Sequence, residues 1–203
     1  MFIERPLKRK RNKPRKLIHG VALNDADYAV TYKDENNKTH SCPYYTTWVS
    51  MLDRVYSSKL QAKRPSYKGS SLDPDWLLFS NFKKWMQNQD WVGKHLDKDL
   101  LDWENKHYGP DTCLFITPGL NNLLTLRRNH RGHLPLGVSE TTINGSHYYA
   151  ASCSFYGKQK RLGYFKSPAD AANRYKDEKL KYIQKLAESE PNPKIKQALL
   201  ALH

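Results

Sequence analysis

The chain has 203 residues, 38% of them hydrophobic and 27% charged, which is enough for one large or two small globular domains. Lysine and arginine number 34 against 20 acidic residues, so the net charge is +14 and a polyanionic partner such as nucleic acid is indicated. The 12% aromatic content argues against a disordered basic chain, and no apolar run is long enough to span a membrane.

Residues 1–16 are predicted to form a flexible basic arm, because Pro6 and Pro14 interrupt any helix. A charge run of this kind is either a solvated tail or a phosphate-binding arm, and the net charge of the whole chain favours the arm. Its candidate phosphate contacts are Lys8, Arg9, Lys10 and Arg11.

Apolar residues at helical spacing predict core helices within a domain spanning residues 17–126. One helix follows Pro43, and a second contains Trp76, Phe79 and Trp85. Such an aromatic stripe could stack on bases, but at this spacing we expect it to pack in a core. Ala29 to Tyr32 and Leu114 to Ile116 are predicted strands, and a helix is expected to start near Thr117 and Pro118.

Residues 127–133 are predicted to be a basic linker, in which Arg127, Arg128 and Arg131 are expected to grip phosphates. Three strands, Leu136 to Ser139, Tyr148 to Ser154 and Lys160 to Phe165, are predicted in residues 134–188. Ser167 then caps a long helix. Residues 189–203 are a tail with a short helix. Together these elements predict an α+β fold, with the three-stranded antiparallel sheet packed on one helix.

The cysteines, Cys42, Cys113 and Cys153, are odd in number and far apart in the sequence. A disulfide framework and a four-thiolate zinc site are therefore both disfavoured, and no zinc is expected. The N-terminal segment also lacks the apolar stretch of a secretory signal. We accordingly expect a reducing, cytoplasmic setting.

The C-terminal domain contains several short motifs. They are Gly137-Val138, Tyr149-x-Ala151, Gly157-Lys158, Leu162 to Phe165, and Ser167 to Ala172 with Tyr175 following. Together they resemble the ethylene-response-factor (Apetala-type) DNA-binding domain, which is also found attached to phage and bacterial homing endonucleases. In that family the outer face of the sheet lies in the DNA major groove.

The resemblance implies a reading face on this sheet, and Arg161 is the only cation among its six positions, where the family has several arginines. The positions carried over are Ser139, Tyr148, Ser152, Ser154, Gln159 and Arg161, with Lys158 and Lys160 nearby. A short sheet fits the major groove, and alternation sends every second side chain to the DNA. A sheet and helix module used for protein contact is the alternative.

The middle region carries a second set of motifs. They are Cys42-Pro43-Tyr44, Trp48 to Tyr56, Trp76-x-x-Phe79-x-x-Phe82, Leu96-Asp97-Lys98-Asp99, Tyr108-x-Pro110, Cys113 to Thr117, and Asn121-Asn122. These resemble phage-encoded proteins of the His-Asn-His (HNH) endonuclease lineage. In active members a ββα hairpin holds Mg²⁺, which stabilises the leaving oxygen while a histidine deprotonates water.

The resemblance implies that Asp97 is the metal ligand and that Mg²⁺ is the cofactor if the site is active. Lys98 replaces the general-base histidine, and a lysine ammonium is a poor base at neutral pH. His95 and His107 flank the position and could take that role. Thr112 stands where the family has asparagine, and Asp99 and Asn105 are further possible ligands.

Three functions follow from the sequence. The favoured one is a DNA-binding protein of the phage homing-endonuclease lineage with residual Mg²⁺-dependent nicking. The alternatives are an active HNH homing endonuclease, and a phage effector that binds a host protein or ribonucleoprotein through exposed tyrosine pairs. The expected partner is double-stranded DNA, although the positive charge of the chain attracts RNA as well. No membrane partner is expected. If a phage encodes the chain, its setting is the cytoplasm of the host.

Overall fold

The computed structural model describes residues 2–7, 14–124, 133–155 and 158–202. The chain divides into two units, Met1–Ile116 and Thr117–His203. Apart from His133, the predicted linker 127–133 lies outside the described residues. No described helix is both long and apolar enough to cross a membrane.

The described residues of the first unit form three α-helices and several short strand pairs. Its elements are β1 Thr31–Lys33, β2 Thr39–Ser41, α1 Pro43–Tyr56, α2 Ser58–Lys63, a 3-10 turn at Pro65–Tyr67, β3 Ser71–Leu72, a 3-10 turn at Pro74–Leu77, α3 Phe79–Gln87, β4 His95–Asp97, β5 His107–Tyr108 and β6 Leu114–Ile116. Strands β1 and β2 pair antiparallel, β3 and β5 parallel, and β4 and β6 antiparallel.

An aromatic core holds the first unit together. The rings of Trp48 and Phe79 lie 5.4 Å apart, and those of Trp76 and Phe82 meet edge to face at 5.0 Å. The Trp48 indole nitrogen donates a hydrogen bond to the Trp76 carbonyl over 2.7 Å, so its polar atom is satisfied inside the core. Burial of each ring stabilises the fold by about 2–3 kcal/mol. The prediction that this stripe packs in a core is confirmed.

Strand β1 starts two residues later than the sequence predicts. The amide of Ala29 donates to the carbonyl of Arg5 over 2.9 Å, so Ala29 is hydrogen-bonded to the N-terminal segment instead of to β2. The pairing of β1 with β2 therefore begins at Thr31.

The second unit confirms the predicted α+β architecture. It contains α4 Pro118–Leu124, β7 Val138–Ile143, β8 Ser146–Phe155, β9 Lys158–Phe165, α5 Pro168–Ser189 and α6 Pro193–Leu200. The strands form an antiparallel sheet in the order β7-β8-β9, which packs against α5. Strand β7 runs further than predicted, up to Ile143. Asn144 and Gly145 both have positive φ, a pair that suits the tight hairpin turn between strands of right-handed twist.

Helices α5 and α6 are both capped by side chains. The Ser167 hydroxyl accepts a hydrogen bond from the amide of Ala169 over 3.1 Å, which confirms the predicted cap. Asn192 accepts from the amide of Lys194 over 3.0 Å at the start of α6. Ile195 and Leu199 of α6 are buried, and α6 contacts α5. The C-terminal segment thus contributes to the core of the second unit.

Candidate functional site

Asp97 ends strand β4 and holds the turn that follows it. Its Oδ1 accepts hydrogen bonds from the amides of Asp99 over 3.0 Å and Leu100 over 2.8 Å. Burial raises the pKa of this carboxyl above its ordinary value, and the Leu100 amide opposes that rise. The carboxylate oxygen is therefore already engaged by the backbone.

Lys98 points into the protein and is only 4% exposed. Its ammonium donates to a carboxylate oxygen of Asp99 and, over 2.8 Å, to the carbonyl of Asn105. It also lies 5.7 Å from the centre of the Tyr108 ring. The side chain at the general-base position thus ties the loop between β4 and β5 together through two internal hydrogen bonds.

The two candidate histidines lie on different strands. His95 is exposed on β4, whereas His107 lies on β5 and its Nδ1 is 3.0 Å from the hydroxyl of Ser71. The Asn105 side chain spans the loop, since its amide nitrogen donates to the carbonyls of Lys98 and His107. The Thr112 hydroxyl donates to the His107 carbonyl over 2.9 Å. Asn105 and Thr112 therefore fix the loop.

Several oxygens that the resemblance implies as Mg²⁺ ligands already accept hydrogen bonds within this loop. Mg²⁺ requires several oxygen ligands in octahedral geometry. Here Asp97 Oδ1 accepts from two amides, Asp99 pairs with the Lys98 ammonium, and Asn105 Oδ1 accepts from the amide of His107. Across the described residues, no group of three or more His, Cys, Asp or Glu side chains is placed to hold a metal.

Asp97→Asn is expected to stabilise the first unit at neutral pH. Because the pKa of Asp97 is raised in the folded state, ionising it opposes folding at higher pH, and that penalty is absent below the unfolded pKa of about 3.9. Asparagine keeps the acceptor for both amides and removes the charge. The gain should therefore appear in urea unfolding at pH 7 and vanish near about pH 3.

Asp97→Ala is the matched control, since it removes the charge and both hydrogen bonds. It should destabilise the unit by about 1–2 kcal/mol at pH 7. Equal destabilisation by Asn and Ala, together with a Mg²⁺-dependent rise in the melting temperature of the unaltered protein, would assign Asp97 to a metal instead.

The β-sheet of the second unit has one face toward α5 and one away from it. Ala151 and Cys153 are buried, and Lys160, the register partner of Cys153, bonds to Glu178 of α5. Because side chains alternate along β8, the residues next to Ala151 and Cys153 in the sequence lie on the opposite, outer face. The residues that pair with this set on β7 and β9 lie on the same face. The outer face carries Ser139, Thr141, Tyr148, Ser152, Ser154, Gln159 and Arg161. The six predicted reading-face residues thus share one face.

Two cation and ring pairs lie on this outer face. The Arg161 guanidinium is 5.4 Å from the centre of the Tyr164 ring, and the Lys166 ammonium is 3.7 Å from that of Tyr148. Tyr164 is 51% exposed. The rings hold the long cationic side chains in place and leave their charge available to an anion.

Tyr164 and Lys166 are missing from the predicted reading face. The register shifts between Ala151 and Ser152 of β8, whose partners are Gly163 and Arg161, so Leu162 is the extra residue of a bulge. Beyond the bulge the alternation is reversed, which brings Tyr164 to the face of Arg161. Gly163, with φ of +144°, is the sequence signal, because a glycine inside a strand often marks a bulge.

Lys160 lies on the helix side of the sheet. Its ammonium is 2.8 Å from Glu178, which also pairs with Arg174 over 3.0 Å. These cations hold the pKa of Glu178 below its ordinary value, with the hydrogen bond from Lys160 as the main cause. Lys158 lies two residues away on the same side of β9, in register with Phe155. Lys160 thus joins the sheet to α5.

The remaining candidates belong to the two basic segments. Lys8, Arg9, Lys10, Arg11, Arg127, Arg128 and Arg131 lie outside the described residues. The described parts of the N-terminal segment contact the first unit: the Arg5 guanidinium lies 4.0 Å from the centre of the Tyr32 ring, and Arg15 donates to the carbonyls of Asn24 and Ala26. Arg5 and Arg15 are therefore held on the folded unit.

Comparison of the chain with models of known protein families, with curated proteins and with solved structures found no match.

Proposed function

We propose that this protein binds double-stranded DNA through the outer face of the β7–β9 sheet. The observation that supports the proposal is the pairing of Arg161 with Tyr164 and of Lys166 with Tyr148 on one side of a short antiparallel sheet. The net charge of +14 supplies the sequence-independent attraction to the phosphate backbone.

The chemistry of this face suits the major groove. A guanidinium donates two parallel hydrogen bonds to guanine, a contact that discriminates between bases by about 1–3 kcal/mol. Ser152 is the register partner of Arg161, and its short side chain leaves the guanidinium room to approach a base edge. The hydroxyls of the serines and tyrosines add hydrogen bonds to phosphates and bases.

Binding without cleavage is the form of this function that the first unit supports. The Lys98 ammonium is held by Asp99 and Asn105, and Asp97 Oδ1 is held by two amides. The proposed function is therefore DNA binding, and membership of the homing-endonuclease lineage stays a prediction from the sequence resemblance. In a plasmid-nicking assay of the unaltered protein, with Asp97→Ala as control, supercoiled DNA should stay uncut with Mg²⁺.

Arg161→Ala is expected to weaken duplex binding about tenfold, because it removes the one arginine of the face and its base contact. The matched control is Lys185→Ala, which removes an exposed cation from α5. Fluorescence anisotropy with a labelled duplex library measures both at constant salt. The affinity of the unaltered protein should fall by about 10³-fold between 50 and 200 mM salt.

Three results would count against this proposal. Equal weakening by the two variants would mean that charge alone matters and that the face has no special role. Stronger binding to a structured RNA than to the duplex would assign the surface to RNA, whose recognition uses shape and the 2′-hydroxyl. Absence of duplex binding at low salt would leave the sheet without the proposed partner.

A further inference from the structure

A run without acidic residues separates Asp53 from Asp73 in the first unit. It contains helix α2 and the 3-10 turn Pro65–Tyr67, and its cations after the half-buried Arg54 are exposed. These exposed cations, together with the one just before β5, form what we call the α2 basic surface: Lys59, Lys63, Arg64, Lys68 and Lys106.

Hydrogen bonds hold Lys106 against this run. The Lys106 ammonium donates to the carbonyl of Ser66 over 2.8 Å, and its own carbonyl accepts from the amide of Ser71 over 2.9 Å. The second bond belongs to the parallel pairing of β3 with β5. Lys106 is 40 residues from Ser66 in the sequence, and these two bonds hold it beside the run.

Helix α2 itself is anchored to the end of α1. The Ser57 hydroxyl caps it by accepting from the amide of Leu60, and the Gln61 amide donates to the carbonyls of Arg54 and Val55 over 3.1 and 2.8 Å. A short helix of six residues is marginal alone, so these bonds decide its position. The α2 basic surface is therefore organised before any partner arrives.

The charges of the α2 basic surface are not neutralised within the described part of the chain. Its five cations form no ion pair among the described residues. Lys59 and Lys63 are four residues apart on one helix face, where like charges repel. An external polyanion would relieve this repulsion, and the summed field attracts it from a distance.

The make-up of the surface selects a phosphate polymer as the partner. Among the described residues, no exposed large apolar side chain lies in segment 58–70, and the nearest one, Tyr56 at the end of α1, is 37% exposed. A membrane-binding face carries apolar side chains to insert, and a protein interface has buried aromatic anchors. Lysines and arginines without such anchors are typical of contacts to the DNA backbone, which position a protein without reading sequence.

We propose that the α2 basic surface is a second DNA-binding surface, which contacts the phosphate backbone and adds affinity without sequence preference. The proposal rests on the proposed function, because it assigns further contacts to the same polymer. The two proposed surfaces have different roles. The sheet face contacts bases, whereas the α2 basic surface contacts phosphates and so contributes to the salt dependence of the affinity.

The test is the double variant Lys63→Ala with Arg64→Ala in the full chain. Two lost phosphate contacts should lower the affinity for a random-sequence duplex about tenfold and reduce the slope of log K against log salt by about 2. The matched control removes two exposed cations elsewhere in the first unit, Lys38→Ala with Lys84→Ala, and should change the slope much less. Urea unfolding of all variants checks that the fold is kept.

The outcomes separate the two proposals. If Arg161→Ala weakens binding but the Lys63 and Arg64 double variant keeps the original salt slope, the α2 basic surface is not a contact and the sheet still is. If the double variant binds more weakly while Arg161→Ala does not, the sheet proposal fails and this one stands. Absence of duplex binding by the unaltered chain removes both. Displacement of the duplex by phosphatidylserine vesicles at equal charge would assign the surface to lipid.

Discussion

Gly137→Ala is expected to destabilise the second unit by about 3 kcal/mol. Gly137 has φ of +79°, a conformation that costs an L-residue about 1–2 kcal/mol. An added Cβ would also lie 2.1 Å from Cδ2 of Tyr175, so the ring must move out of its place on α5. Overpacking of this kind costs about 1–3 kcal/mol. Both penalties act where the residue before β7 meets Tyr175 of α5.

Gly145→Ala provides a matched control for the backbone conformation alone. Gly145 has φ of +78°, but its Cβ would meet no atom within 4 Å. The expected loss is therefore about 1 kcal/mol. Tryptophan fluorescence follows only the first unit, because all five tryptophans precede residue 117, so the loss is measured by hydrogen exchange of β8 and α5. Similar losses for the two variants would show that the contact with Tyr175 contributes little.

Periodicity predicts most of the helices and the sheet because those elements are set by local patterns. The spacing of Trp48, Met51 and Val55 places one face of α1 in the core, and Ser167 with Pro168 marks the start of α5. The alternation in β8 and β9 likewise predicts that Ser152 and Arg161 share a face. Each of these inferences needs only residues that are close in the sequence.

The parts that sequence reasoning missed depend on contacts between distant residues or on one irregularity. Tyr164 reaches the outer face only because Leu162 is bulged, which a strict period of two cannot foresee. Lys106 joins the α2 basic surface through the carbonyl of Ser66. Lys98 has its inward orientation because Asn105, across a loop, offers a carbonyl. Patterns within a single strand or helix contain no information about such pairings.

Lys98→Met is expected to destabilise the first unit by about 2 kcal/mol. Methionine keeps much of the apolar stem but removes the ammonium, which leaves the Asn105 carbonyl without its donor in a place where water has little access. Loss of a buried, charged hydrogen-bond donor typically costs about 1–3 kcal/mol. Because Asp99 is more than half exposed, its carboxylate regains water and adds little to the loss.

Lys94→Met is the matched control, four residues earlier in the same part of the chain. Lys94 pairs with the exposed Asp90, and a surface ion pair of this kind contributes at most about 1 kcal/mol. Urea unfolding followed by tryptophan fluorescence measures both variants. A structural role predicts that Lys98→Met lowers stability and leaves duplex binding per folded molecule unchanged. Unaltered stability with weakened binding would instead mean that the ammonium turns outward to a phosphate, and the internal role of Lys98 would be wrong.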